Sequence, residues 1–203
     1  MSKSSSKTYS KFSFDELKDL GIKVIERSLG LQKKAKPILP SDFLLKILER
    51  NQKLKMKTEK AKSEFIIAPI LAEFVEKNID KIACYSGYLF NVDTKLGLNG
   101  YCDFLLTLQP EAVQIEAPVF FVVEAKNDNL DNGMPQCIAE LYAASIFNQK
   151  KGNIRTKIYG AVTFGFEWKF VEFSDNQAII DTDIYYFNEL EKILGILEYI
   201  TNE

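Results

Sequence analysis

Phe120-Phe-Val-Val-Glu-Ala-Lys126 is an apolar run that ends in two charged side chains separated by one residue. Side chains alternate between the faces of a strand, so Glu124 and Lys126 point to one face and Ala125 to the other. Burial of an isolated charge is costly, so charged residues at the end of a buried strand need a partner or a function. The stretch therefore predicts a central strand with a site at one end.

A further acidic residue lies in the apolar segment before this strand. Tyr101-Cys-Asp-Phe-Leu-Leu-Thr-Leu108 places Asp103 in a second strand, which can pair with the first. Two carboxylates and a lysine can then converge at one edge of a sheet. Hard oxygen ligands suit Mg²⁺, which takes one or two protein carboxylates and keeps other positions for water and substrate phosphate. Such an ion activates water for attack on a phosphodiester.

The pattern Glu/Asp-x-Lys is weak evidence by itself, because it occurs four times. The four copies are Glu16-Leu-Lys18, Asp93-Thr-Lys95, Glu124-Ala-Lys126 and Glu167-Trp-Lys169. Only the third ends an apolar strand that follows an Asp-bearing strand and precedes a helix. The surroundings therefore select Glu124 and Lys126.

The apolar spacing predicts an α/β fold. Helical spacing follows Ser13, Ser41 and Ser63, with Pro69 kinking the third helix or marking a new start, and it returns at 133–148 and from Asn188. Strands are predicted at about 83–90, 101–108, 119–125, 158–164, 168–173, 178–180 and 184–187. From Ser63 onward the core order is α-β-β-β-α-β. We expect one compact domain in two parts, a basic helical extension at 1–62 and the core at 63–203, with 1–11 disordered.

Charge is distributed unevenly between these parts. Residues 1–62 hold 16 Lys and Arg against 7 Asp and Glu, and residues 63–203 hold 10 against 21. A basic part beside an acidic one suits a polyanionic ligand together with a bound cation. The alternative is that the lysines only solvate helix faces.

Histidine is absent from the chain, which excludes a Ser-His-Asp triad and histidine-ligated zinc. No apolar run is long enough to span a membrane, and the polar segment Met1–Lys7 does not look like a secretory signal. We therefore expect a soluble, cytoplasmic protein whose chemistry, if any, uses carboxylates, lysines, hydroxyls or thiols.

Three motifs together resemble the PD-(D/E)XK nuclease superfamily, particularly small restriction-endonuclease-like proteins. They are Gly100-Tyr-Cys-Asp-Phe104, Val123-Glu-Ala-Lys126 and Gly133-Met-Pro-Gln-Cys-Ile-Ala-Glu140. The resemblance covers Glu64 to about Asn148, less than half of the chain, and Cys102 stands where the superfamily's name has proline. It implies a mixed central sheet flanked by helices.

The resemblance also implies roles for individual residues. Asp103 and Glu124 would be metal ligands, with the Ala125 carbonyl as a third oxygen, and Lys126 would be the catalytic lysine. Glu64 matches the accessory carboxylate on the first core helix and a further metal ligand, and Gln136 matches a residue that faces the site.

Each of these residues also has a purely structural interpretation. Glu124 and Lys126 could form a simple salt bridge at a sheet edge. Glu64 could be an ordinary exposed helix residue, and Gln136 with Glu140 one turn later could form a solvated helix face.

Three functions follow, and the sequence orders them. The first is a Mg²⁺- or Mn²⁺-dependent endonuclease that hydrolyses DNA, and the resemblance makes a homodimer reasonable. The second keeps the fold without catalysis, as a nucleic-acid-binding or assembly subunit. The third is a scaffold that does not bind nucleic acid and whose charges are all structural.

Overall fold

The computed structural model describes residues 7–153 and 155–203. Its helices are α1 Phe14–Asp19, α2 Leu31–Lys34, α3 Asp42–Gln52, α4 Glu59–Lys62, α5 Ala68–Lys77, α6 Met134–Lys150 and α7 Leu190–Asn202. Its strands are β1 Lys23–Glu26, β2 Ala83–Leu89, β3 Tyr101–Thr107, β4 Val119–Ala125, β5 Ile158–Thr163, β6 Glu167–Ser174, β7 Gln177–Ile180 and β8 Tyr185–Tyr186.

These strands form one mixed sheet. Its order is β1-β7-β6-β5-β4-β3-β2, and β8 pairs with β6. The pairs β2/β3 and β3/β4 are antiparallel, whereas β4 and β5 are parallel. Parallel neighbours need a crossover connection, and α6 supplies it between β4 and β5. The strand β4 is buried along its whole length, as its apolar sequence predicts.

Helices cover both faces of the sheet. Phe121 and Val123 of β4 pack in an apolar cluster that includes α3, α5 and α7 residues such as Leu48, Ile70 and Leu194. Val122, on the other face of β4, packs in a second cluster with α6 residues. The predicted α/β class, a mixed sheet flanked by helices, is therefore confirmed, and the predicted strands match the observed ones to within about three residues at either end.

The N-terminal part differs from the prediction in two ways. It is not entirely helical, because Lys23–Glu26 forms β1, which extends the sheet by pairing parallel with β7. The predicted disorder is wrong for the segment around Tyr9, whose buried side chain donates a hydrogen bond from its hydroxyl to the Phe90 carbonyl at 2.8 Å. Residues 1–6, also predicted to be disordered, lie outside the described residues.

The first core helix has an irregular start. Ser63–Ile67 forms a π-helical turn, and α5 continues from it with Pro69 in its first turn. Proline is tolerated there because first-turn N–H groups have no partner inside the helix. Pro69 thus marks a new start. Among the described residues, no helix combines the length and apolar character that crossing a membrane requires.

Candidate metal-binding and catalytic site

The strands β3 and β4 carry the two candidate metal ligands on one face of the sheet. Phe104 pairs with Val123 in this antiparallel ladder, so Asp103 and Glu124 occupy the next position along the pair. Leu105 and Val122, at the position before, both pack on the α6 side. Because side chains alternate along a strand, Asp103 and Glu124 also face the α6 side.

Asp103 is held against the end of β4. Its Oδ2 accepts a hydrogen bond from the Ala125 N–H at 2.8 Å, and its carboxyl lies within hydrogen-bonding reach of Glu124. Burial raises the pKa of Asp103 above its ordinary value, although the Ala125 N–H and the Lys126 charge oppose that shift. The two carboxyl groups therefore share one small volume.

Glu124 is almost completely buried, with 1% of its surface exposed. Its Oε1 pairs with the Lys126 ammonium, whereas its Oε2 has no hydrogen-bond partner among the described residues. Burial raises the pKa of Glu124 to about 8, and the Asp103 carboxyl adds to the shift. A buried carboxylate oxygen without a partner is costly, so it is a candidate for binding a cation.

Lys126 lies between the strands and α6. Its ammonium binds Glu124 and donates to the Gln136 Oε1 at 3.3 Å. Its stem packs so closely on Gly133 that a Cβ there would lie 2.9 Å from the Lys126 Cγ. Burial by itself would lower the pKa of Lys126, but the Glu124 carboxylate raises it above its ordinary value, so the side chain carries a proton.

Ala125 separates the two charged residues and points away from them. Its side chain packs in the cluster with α3, α5 and α7, and its N–H is occupied by Asp103. The role of its carbonyl as a metal ligand stays a prediction.

Gln136 connects the site to a residue that sequence reasoning missed. The Gln136 Nε2 donates to the Glu140 Oε1 at 3.1 Å, and Glu140 is fully buried with its Oε2 unpartnered among the described residues. Burial raises the pKa of Glu140 well above its ordinary value, and Glu124 adds to the shift. The interpretation of Gln136 and Glu140 as a solvated helix face is therefore wrong for Glu140. Its four-residue spacing from Gln136 was the available signal.

Glu64 lies apart from this cluster. Its carboxylate pairs with Lys60 at 3.3 Å and is half exposed. It lines a groove of about 330 Å³ with α3 and α5 residues, among them Phe43 and Pro69. Within the described residues, no hydrogen bond or ion pair joins Glu64 to Asp103, Glu124 or Lys126. Its roles as accessory carboxylate and metal ligand stay predictions.

Helix α4 brings other charged residues towards the site. The Lys62 ammonium donates to the carbonyl of Asn127, the residue after Lys126. Lys60 is near enough that its charge acts to lower the pKa of Asp103, against the larger effect of burial. Glu59 acts to raise the pKa of Glu124. The lysine-rich segment before the first core helix thus flanks the carboxylates.

The donor set fits a small hard cation. Asp103 and Glu124 offer carboxylate oxygens, and the Glu124 Oε2 is unpartnered. Across 7–153 and 155–203, no three acidic or cysteine side chains form a complete metal cage. Mg²⁺ does not need one, because it keeps several of its water ligands and binds proteins through one or two carboxylates.

Comparison of the sequence with protein-family models gives no match, and comparison with curated proteins gives no significant relative. The interpretation of the site therefore rests on its own residues.

Proposed function

We propose that this protein is a Mg²⁺- or Mn²⁺-dependent endonuclease that hydrolyses DNA, with a restriction-endonuclease-like core of the PD-(D/E)XK type. The order α5-β2-β3-β4-α6-β5, with β4 and β5 parallel, supports the fold part of the proposal. One observation carries the function. The Asp103 and Glu124 carboxyls share a buried volume beside a protonated lysine at the end of a central strand.

Asp103 and Glu124 would hold the cation. When bound, such an ion lowers the pKa of a coordinated water and offsets charge on the phosphodiester oxygens. The energetic fit is good, because a cation would remove the cost of crowding two carboxylates in a buried place.

Lys126 would act on the phosphate or on the attacking water. Its side chain is about one-fifth exposed, so the ammonium is accessible from one side while its other contacts hold it in place. A positive charge fixed in a low-dielectric site stabilises developing negative charge better than a mobile surface lysine does. Gln136 adds an acceptor that keeps the ammonium on the α6 side.

Nucleic acid is the proposed partner because cations surround the carboxylates. Lys60 and Lys62 of α4 flank the site, and exposed Lys55 and Lys57 precede them in the chain. Phosphodiester backbones bind such lysines through charge and the release of counterions.

The test compares wild type with Glu124→Gln on supercoiled plasmid, branched DNA, single-stranded DNA and RNA, with Mg²⁺, Mn²⁺ or chelator. We expect DNA cleavage by wild type with either metal and none by Glu124→Gln. Asp128→Asn is a matched control, since Asp128 is an exposed acidic residue two positions after Lys126. If no substrate is cleaved, or if Glu124→Gln cleaves as wild type does, the endonuclease proposal fails.

The second candidate is a non-catalytic nucleic-acid-binding or assembly subunit with the same fold. It is favoured by Glu64, whose ion pair with Lys60 lies outside the carboxylate cluster. Binding of DNA without cleavage, and no heat of divalent-metal binding in calorimetry, would select this function over the first.

A further inference from the structure

Glu140 is a buried acid that the proposed reaction does not use directly. It lies on α6 with 0% of its surface exposed, and its Oε2 has no partner in the described part of the chain. Its one hydrogen bond comes from the Gln136 Nε2, at 3.1 Å. A buried carboxyl with an unsatisfied oxygen destabilises a fold, so packing gives no reason for an acid here.

The contacts of Glu140 lead to the site through one residue. The Gln136 amide has two ends, Nε2 donating to Glu140 and Oε1 accepting from Lys126 at 3.3 Å. Lys126 in turn binds Glu124. The chain Glu140, Gln136, Lys126, Glu124 therefore runs from the interior under α6 to the carboxylate cluster.

An ionised carboxylate can only accept hydrogen bonds, so it selects one orientation of a neighbouring amide. In the opposite orientation the Gln136 NH₂ would face the Lys126 ammonium, and two donors would oppose each other. A side chain that could both donate and accept at position 140 would not select between the two orientations.

We infer that Glu140 is a positioning residue of the site, which fixes the Gln136 amide so that its Oε1 holds the Lys126 ammonium beside Glu124. The inference rests on the proposed function for its catalytic consequence, because it gives Lys126 a defined position for the reaction. Glu140 itself touches neither substrate nor metal.

The test uses Glu140→Gln, which keeps the shape and removes the fixed polarity. We expect kcat for DNA cleavage to fall about tenfold to a hundredfold, the usual loss when a residue behind a site is changed, with KM within about twofold. We expect the Tm to equal or exceed that of wild type, because a buried unpaired acid is removed. Glu140→Gln in a Gln136→Leu background should cause no further loss, since Glu140 acts through Gln136.

The matched control is Glu73→Gln. Glu73 is also buried, but it accepts hydrogen bonds from Ser41 and pairs with Lys77, away from the site. Its loss should lower the Tm and leave kcat unchanged, the reverse of the Glu140 pattern. A Glu140→Gln protein with a lower Tm and normal kcat, or an additive loss in the Gln136→Leu background, would overturn the inference.

A second readout does not depend on activity. The side-chain NH₂ of Gln136, followed by ¹⁵N NMR, should shift in Glu140→Gln and stay unchanged in Glu73→Gln. If wild type shows no Glu124-dependent cleavage, the proposed function fails, and this resonance alone decides whether Glu140 holds Gln136. An unmoved resonance would refute the inference even in an active enzyme.

Discussion

Asp103 accepts a hydrogen bond from the Ala125 N–H across the β3/β4 pair, at 2.8 Å. The bond joins the candidate ligand on β3 to the residue between Glu124 and Lys126. It fixes where the Asp103 carboxyl lies relative to Glu124, and leaves the Asp103 Oδ1 outside this hydrogen bond. The two strands therefore place the carboxyls together before any cation arrives, which lowers the entropic cost of binding one.

Asp103→Asn should weaken Mg²⁺ binding without unfolding the protein. The amide oxygen of Asn can still accept from the Ala125 N–H, but the charge that attracts the cation is lost. We expect at least about a hundredfold weaker affinity, the upper end of losses seen for changes behind metal sites, in isothermal calorimetry. Asp128→Asn serves as control and should bind as wild type does. Equal affinities for wild type and Asp103→Asn would exclude Asp103 as a ligand.

The metal-free protein should lose stability as the pH rises. Burial raises the pKa of Asp103, Glu124 and Glu140 in the folded state, to about 8 for Glu124. In the unfolded chain these groups titrate near pH 4, so their contribution is complete below that pH and is lost as the pH rises through the folded pKa. Each extra proton held by the folded state changes the free energy of unfolding by about 1.4 kcal/mol per pH unit.

Denaturant unfolding in chelator between pH 5 and pH 9 measures this slope. Glu124→Gln should flatten it, because the residue with the resolved shift to about 8 no longer titrates. A wild-type stability that increases from pH 6 to pH 9, or a slope that Glu124→Gln leaves unchanged, would contradict the prediction.

Mg²⁺ binding should release protons and become tighter over the same range. A divalent cation favours the ionised carboxylates, whereas burial favours their protonated forms. Calorimetry in buffers of different ionisation enthalpy counts the released protons, and we expect the count to fall towards zero above the pKa of Glu124. Affinity that does not vary from pH 6 to pH 9 would indicate that the ion binds elsewhere.

Much of the fold could be predicted because its signals are local. The apolar run of β4 and the helical spacing of α6 depend on neighbouring residues, and both elements were placed within a few residues of their observed bounds. The strand β1 was missed because Lys23-Val-Ile-Glu26 is short and charged at both ends. It forms by pairing with β7, more than 150 positions further along the chain.

The candidate site was predictable in its strands and less so in its helices. Alternation along β3 and β4 is enough to place Asp103 and Glu124 on one face. The burial of Glu140 depends on how α6 packs, and that helix is buried on most sides, so its spacing alone could not separate an inner from an outer face. The position of Glu64 follows a π-helical turn, which changes the helical spacing on which its prediction depended.

Gly133→Ala should reduce activity by displacing Lys126. A Cβ at Gly133 would lie 2.6 Å from the Val162 Cγ1 and 2.9 Å from the Lys126 Cγ, so a neighbour must move. Overpacking of this kind costs about 1–3 kcal/mol, measurable by denaturant unfolding. We expect the lysine stem to shift and kcat to fall.

Gly160→Ala separates overpacking from displacement of the lysine. A Cβ at Gly160 would meet the Cys137 Sγ at 2.8 Å, also beneath α6, and it has no close contact with Lys126. It should lower stability comparably and reduce kcat less. If the two variants lose activity in proportion to stability alone, the contact between Gly133 and Lys126 has no special role.

Lys55 and Lys57 should contribute to DNA binding through charge. Both are exposed, and neither pairs with an acid in the described chain. They precede α4, whose Lys62 contacts Asn127 beside the site. In Lys55→Ala/Lys57→Ala, the slope of log affinity against log salt should decrease in size by about 1.8, because each lysine–phosphate contact contributes about 0.9 for duplex DNA.

Lys33→Ala/Lys34→Ala removes the same charge from α2, which packs on α7, and both lysines are exposed. It should leave the slope within about 0.3 of wild type, since only lysines that contact phosphates release counterions from the DNA. Affinity measured by fluorescence anisotropy from 50 to 300 mM salt gives all three slopes. Equal decreases for both pairs would mean that overall charge, and not the segment beside the carboxylates, binds the DNA.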